Sequence, residues 1–122
     1  KGGDIDSAIA ISRWISKNNI PILVKDSCMS TCVIIAVSGS VLYASKSARF
    51  GFNQGVDNSF KGVLNRKRID LDSVGKMELE LRQHGVPEKV LLWVQKTPIQ
   101  QMHFITTLDL KRLGVVDVIL DF

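Results

Sequence analysis

Residues 26–37, DSCMSTCVIIAV, decide how the rest of the chain is read. A small polar turn rich in hydroxyls and thiols runs straight into an apolar segment, and IPILV at 20–24 before it reads as a short buried strand. Strand, tight turn and helix in this order expose one side chain at the junction, here Ser30. The first helical N–H groups then point at whatever that side chain attacks. This is the logic of a nucleophile elbow, although Gly-x-Ser-x-Gly is absent. Serine is also a good helix N-cap, and that purely structural role competes with the chemical one.

Working outward, Asp4 can cap a helix through about Asn18, with Ile5, Ala8, Ile9, Trp14 and Ile15 as its apolar face. On the other side Gly39 stops the elbow helix, and VLYA at 41–44 and RFGF at 49–52 read as strands. Residues 53–65 turn polar and Gly-dotted, as a surface loop does. A helix is predicted from Ile69 to His84, with Leu71, Val74, Met77 or Glu78, and Leu81 inward and Gly85 as its stop. Pro87 opens another over 88–96 that carries Val90, Leu91 and Trp93 or Val94. Thr106 and Asp109 can cap a short helix ending at Gly114, and residues 115–120 close as a strand. This alternation of helix with short apolar strand predicts an α/β layered fold, a mainly parallel sheet flanked by helices.

At 122 residues, 45% hydrophobic and 23% charged, the chain is expected to form one domain over 1–122. No apolar run reaches the roughly 18 to 20 residues of a membrane span. The first residues lack the order of a signal peptide, so any targeting segment is expected to have been removed or never to have existed. No strand precedes GGD at 2–4, which predicts that the domain has more on that side. Sixteen Lys and Arg against twelve Asp and Glu give a net charge of +4. The one dense basic run, KGVLNRKR at 61–68, has no interleaved aromatics to stack bases. It reads as a solvated loop rather than a nucleic-acid surface.

Cys28 and Cys32 lie on either side of Ser30. With only His84 and His103 elsewhere they make no zinc set of the usual spacing, so no metal is expected. They can be two small buried packing residues, or a disulfide if the protein is exported, although a regular helical turn does not aim two such side chains at each other. Neither has a nearby His to make it a thiolate nucleophile. His84, at a helix end, suits the helix dipole. Trp14 and Trp93 fit core packing or an oligomer contact better than a ligand platform.

GGD at 2–4 opening one helix, SCMSTC at 27–32 opening the next, RFGFNQ at 49–54 and FITTLDLKRLGVVD at 104–117 resemble, in this order, the Clp-protease-like serine peptidases of the crotonase superfold. The nearest likeness is to their exported or periplasmic bacterial branch. It covers nearly the whole chain and implies that the first strands of that fold lie before Lys1. It also implies a peptide or protein substrate, a homo-oligomer, export and no cofactor. Ser30 falls on the nucleophile, and the N–H groups of Gly3 and Thr31 fall on the oxyanion hole. The general-base position, a His in that family, is Asn53, and the acid position aligns with Met102.

An amide has no useful basicity near neutral pH, and a serine hydroxyl is a poor nucleophile until a base takes its proton. A triad stripped of its members keeps only about 10³ to 10⁴ of acceleration over water. Three readings stay open: a pseudoenzyme that keeps the cleft for binding, an Asn put in place of His to trap substrate, or another base. His103, beside the slot of the missing acid, is the residue for the last. The expectation is a serine peptidase-like acyl-transfer hydrolase with an altered triad, against a non-catalytic peptide-binding or self-assembling scaffold.

Overall fold

A computed structural model of the chain describes residues 5–53, 71–98 and 100–121. The surface loop and basic run expected over 53–68 fall, beyond Asn53, outside the described residues.

The first helix, α1 (Ile5–Lys17), buries Ile5, Ala8, Ser12 and Ile15, a stripe recurring every three or four residues. Trp14, expected on that face, is instead 60% exposed. It follows Ile5 by nine residues, which at 3.6 per turn is two and a half turns and the opposite side of the helix. Asn19, at φ 53, reverses the chain after α1.

The strands fall into two sheets where the sequence reads as one. β1 (Ile22–Val24), β3 (Leu42–Ser45) and β6 (Val118–Leu120) form the first, ordered β1-β3-β6 and parallel throughout. β2 (Ser27–Met29), β4 (Arg49–Phe52) and β5 (His103–Thr106) form the second, ordered β2-β4-β5. Here β2 and β4 run parallel while β5 returns antiparallel to β4. Mainly parallel pairing therefore holds, with β5 as the exception.

Between the sheets and the outer helices lies α2 (Thr31–Val37), with Val33, Ile34 and Ala36 buried. It packs on α1, β2 and α3 (Leu71–Gln83). The core continues through Phe50 and Phe52 of β4, Met77 and Leu81 of α3, and Val90, Leu91 and Val94 of α4 (Glu88–Lys96). α5 (Thr107–Arg112) adds Leu110. The stops expected from glycine are present, with Gly85 at φ 83 after α3 and Gly114 at φ 80 after α5. The cap of α5 is present too: Asp109 N–H donates to Thr106 Oγ1 at 3.2 Å.

Among the described residues, one that is buried is charged. Glu80 of α3 is only 2% exposed. Its carboxylate accepts from Ser12 Oγ at 3.3 Å and from the Arg13 guanidinium at 3.2 Å, both from α1. His84, one turn on, places Nε2 3.5 Å from the same carboxylate. A buried carboxylate persists only when paired and hydrogen-bonded, and α1 supplies both.

Candidate active site

The site is built where β2, β4 and β5 share one end. Ser30 is the first residue past β2 and Asn53 the first past β4, and the two strands are parallel neighbours in the register Met29↔Gly51. β5 runs the other way, so Met102, just before it, comes to the same end. Ligand crevices of α/β sheets form outside such carboxyl ends.

Ser30 has φ 56 and ψ −119. Those angles belong to the first central residue of a type II′ turn, a place normally held by glycine. For a residue with a Cβ the strain is of order 1–3 kcal/mol, and such residues cluster at functional sites. The backbone is pinned on both sides: Ser30 N–H donates to the Gly51 carbonyl at 2.8 Å, and Val33 N–H donates to the Ser30 carbonyl at 3.0 Å. The Ser30 side chain makes no capping hydrogen bond to α2, so helix capping does not account for serine here. Thr31, 5% exposed, is the first residue of α2. Gly3, expected to complete an oxyanion hole, lies outside the described residues.

The two cysteines flanking Ser30 form a disulfide, with their Cα atoms 5.3 Å apart. They do not share a helical turn. Cys28 lies in β2 and Cys32 in α2, and the reversal at Ser30 turns the two side chains toward each other.

Asn53 is 6% exposed, and its Nδ2 donates to the Gln101 carbonyl at 3.1 Å. The amide therefore ties the end of β4 to the approach to β5. Beside it, Met102 lies over Gly51: a Cβ on Gly51 would stand 2.6 Å from Met102 Cγ and 3.1 Å from Met29 Cγ. Two thioether side chains thus close over a bare strand position next to Ser30. Sequence reading missed this packing, whose only sign is a glycine in the middle of an aromatic strand.

His103 is placed differently. It pairs with Phe52 across the β4–β5 ladder, and residues directly opposite in such a pair point to one face. Gly51 and Asn53 alternate with Phe52 and so belong to the other face. The His103 ring stacks on Trp93 with centroids 5.0 Å apart, and Trp93 in turn meets Phe52 at 6.2 Å. The fold therefore brings Ser30, Asn53 and Met102 to one end, with His103 at that end on the Phe52 side. Among the described residues no three His, Cys, Asp or Glu side chains converge as metal ligands, and no described helix is long and apolar enough to cross a membrane.

No protein-family model matches the sequence, and no curated protein matches it. Solved structures do share its fold. An enoyl-CoA hydratase/isomerase from Marinobacter aquaeolei aligns with a TM-score of 0.67 and 10% identity, over 97% of this chain and 39% of that one. A peptidase from Plasmodium falciparum aligns with a TM-score of 0.69 and 15% identity, over 97% of this chain and 67% of that one. The chain thus spans about two fifths of the first protein and about two thirds of the second. These alignments, with the mixed α/β layering and mainly parallel pairing, give one conclusion: the chain carries the crotonase fold.

Proposed function

We propose that this domain is a serine peptidase-like acyl-transfer site with an altered triad, centred on Ser30 and directed at a peptide or protein substrate. The observation that carries the reading is the backbone of Ser30, held at φ 56 and ψ −119 at a strand–helix junction without serving as the helix cap. In this reading Ser30 Oγ attacks the carbonyl carbon of a peptide bond while the N–H groups of Thr31 and Gly3 hold the oxyanion; the C–N bond breaks, the amine leaves carrying the proton from Ser30, and water hydrolyses the Ser30 ester to a carboxylic acid and the free hydroxyl. Asn53 occupies the general-base position and Met102 the acid position, so proton transfer from Ser30 is the missing step. The Clp-protease-like resemblance of the motifs supports the peptide class, and the disulfide supports an exported or periplasmic setting. A homo-oligomer rests on the same resemblance.

A second reading is favoured by one specific contact. Met102 packs its thioether over Gly51 where the resemblance expects a carboxylate, an arrangement suited to holding an apolar group rather than orienting a base. In that reading the domain binds peptides, or assembles with itself, without cleaving.

A fluorophosphonate serine probe followed by intact-mass measurement separates the two. The acyl-transfer reading expects an adduct on Ser30 that is absent in Ser30→Ala and strongly enhanced in Asn53→His. Failure of every form to react, Asn53→His included, would leave the binding reading standing and overturn the first.

A further inference from the structure

We infer that the Cys28–Cys32 disulfide is the positioning element that keeps Ser30 in its attacking conformation; this rests on the reading of Ser30 as the nucleophile position. Cys28 is 1% exposed and fixed in β2, while Cys32 is the second residue of α2. The bond closes a ring around Met29, Ser30 and Thr31.

The coupling follows from geometry. Residues four apart in a continuing strand stand about 13 Å apart, far beyond bridging distance. In a continuing helix they come closer, but their side chains run alongside one another rather than converging. Only a reversal between strand and helix brings the Cys28 and Cys32 Cα atoms to 5.3 Å with the side chains facing. That reversal is the positive φ of Ser30. Because the elbow conformation favours the bond, the bond must favour the elbow conformation to the same degree.

The other ties at the elbow are non-covalent. Of the buried residues of α2, Thr31 lies within the ring, while Val33, Ile34 and Ala36 follow it. The hydrogen bonds of Ser30 N–H to Gly51 and of Val33 N–H to the Ser30 carbonyl fix the peptide groups on either side of the residue. Without the bond, only these two hydrogen bonds and the burial of Thr31 oppose the strain that drives Ser30 toward negative φ, while the helix beyond Cys32 stays docked in the core.

Two readouts test this, one of which does not depend on reactivity. The φ of Ser30 is followed by NMR, from its backbone chemical shifts and one-bond Cα–Hα coupling, in the oxidised protein, after reduction by a phosphine, and in Cys28→Ala/Cys32→Ala. The expected result is positive φ in the oxidised form and its loss in the other two, with the amide signals of β3, β6 and α4 unmoved. Retention of positive φ without the bond overturns the inference. So does collapse of the whole amide spectrum in both the reduced protein and the double variant, since the bond would then hold the domain rather than the elbow.

The second readout is fluorophosphonate labelling of Asn53→His, expected to fall by about tenfold or more on reduction, as a small misplacement of an attacking atom does. Unchanged labelling on reduction overturns the inference. If Asn53→His takes no label even when oxidised, the acyl-transfer reading fails, and the NMR result alone decides whether the bond positions Ser30.

Discussion

β2 and β4 are neighbouring parallel strands that end side by side in opposite styles. Past β2 the chain is forced: Ser30 takes a glycine-type conformation, hydrogen bonds fix the peptide groups on both sides, and a disulfide closes over it. The end of β4 is relaxed by comparison, with Asn53 at no positive φ, buried and tied to the Gln101 carbonyl, and Met102 folded over Gly51. Strain of about 1–3 kcal/mol at Ser30 is matched by roughly 2 kcal/mol from so short a disulfide ring. On the proposed reading, the nucleophile half of the site is therefore maintained at a cost, while an amide and a thioether stand in the half that would move the proton.

The largest effect that sharpens this contrast is kinetic. On the proposed reading, placing an imidazole at position 53 in Asn53→His is expected to raise fluorophosphonate labelling of Ser30 by about 10² or more, the usual contribution of a positioned base. Equal labelling rates in both proteins would show that Asn53 is not the weak half.

Next comes the apolar closure. Gly51→Ala drives a methyl into Met102 and Met29 and is expected to cost about 1–3 kcal/mol in urea unfolding. Gly51→Ala/Met102→Ala should recover much of that loss, because the largest conflict is with Met102. A Gly51→Ala protein as stable as the parent would break the packing account of the relaxed half.

The smallest effect belongs to a pair remote from both halves. Arg82 and Glu88 form an exposed ion pair, and the hydrogen bond from Arg82 holds the Glu88 carboxyl below its ordinary range. Its contribution is full above the ordinary carboxylate value and is lost as pH falls through the lowered one. Glu88→Gln should slightly flatten the acid limb of a stability–pH curve and leave labelling of Ser30 unchanged. A change in labelling would mean that the contrast is not local to the β2 and β4 ends.

What the sequence made legible was local. The limits of β4 and of α4 with its opening Pro87, the stops at Gly85 and Gly114 and the serine at the start of a helix all follow from short-range patterns, whereas the residues of β2 read as a polar turn. The division into two sheets and the antiparallel return of β5 depend on pairings between distant segments that no local period encodes. Trp14 was misplaced because an apolar residue was assigned to a face that the turn angle of the helix denies it. Glu80 was missed because its partners Ser12 and Arg13 lie on another helix. The disulfide stayed open for a related reason: the geometry that closes it is the φ of Ser30, and the letter Ser does not announce a positive φ.

The strain at Ser30 is the claim on which the rest depends, and one pair of variants measures it. Glycine adopts φ 56, ψ −119 without a Cβ penalty but loses about 0.5–1 kcal/mol to the flexibility of the unfolded chain, whereas alanine keeps the strain and removes only the hydroxyl. In urea unfolding, Ser30→Gly is expected to be more stable than Ser30→Ala by about 1 kcal/mol. A Ser30→Gly protein less stable than Ser30→Ala would contradict the account, because the conformation at the elbow would then carry no strain.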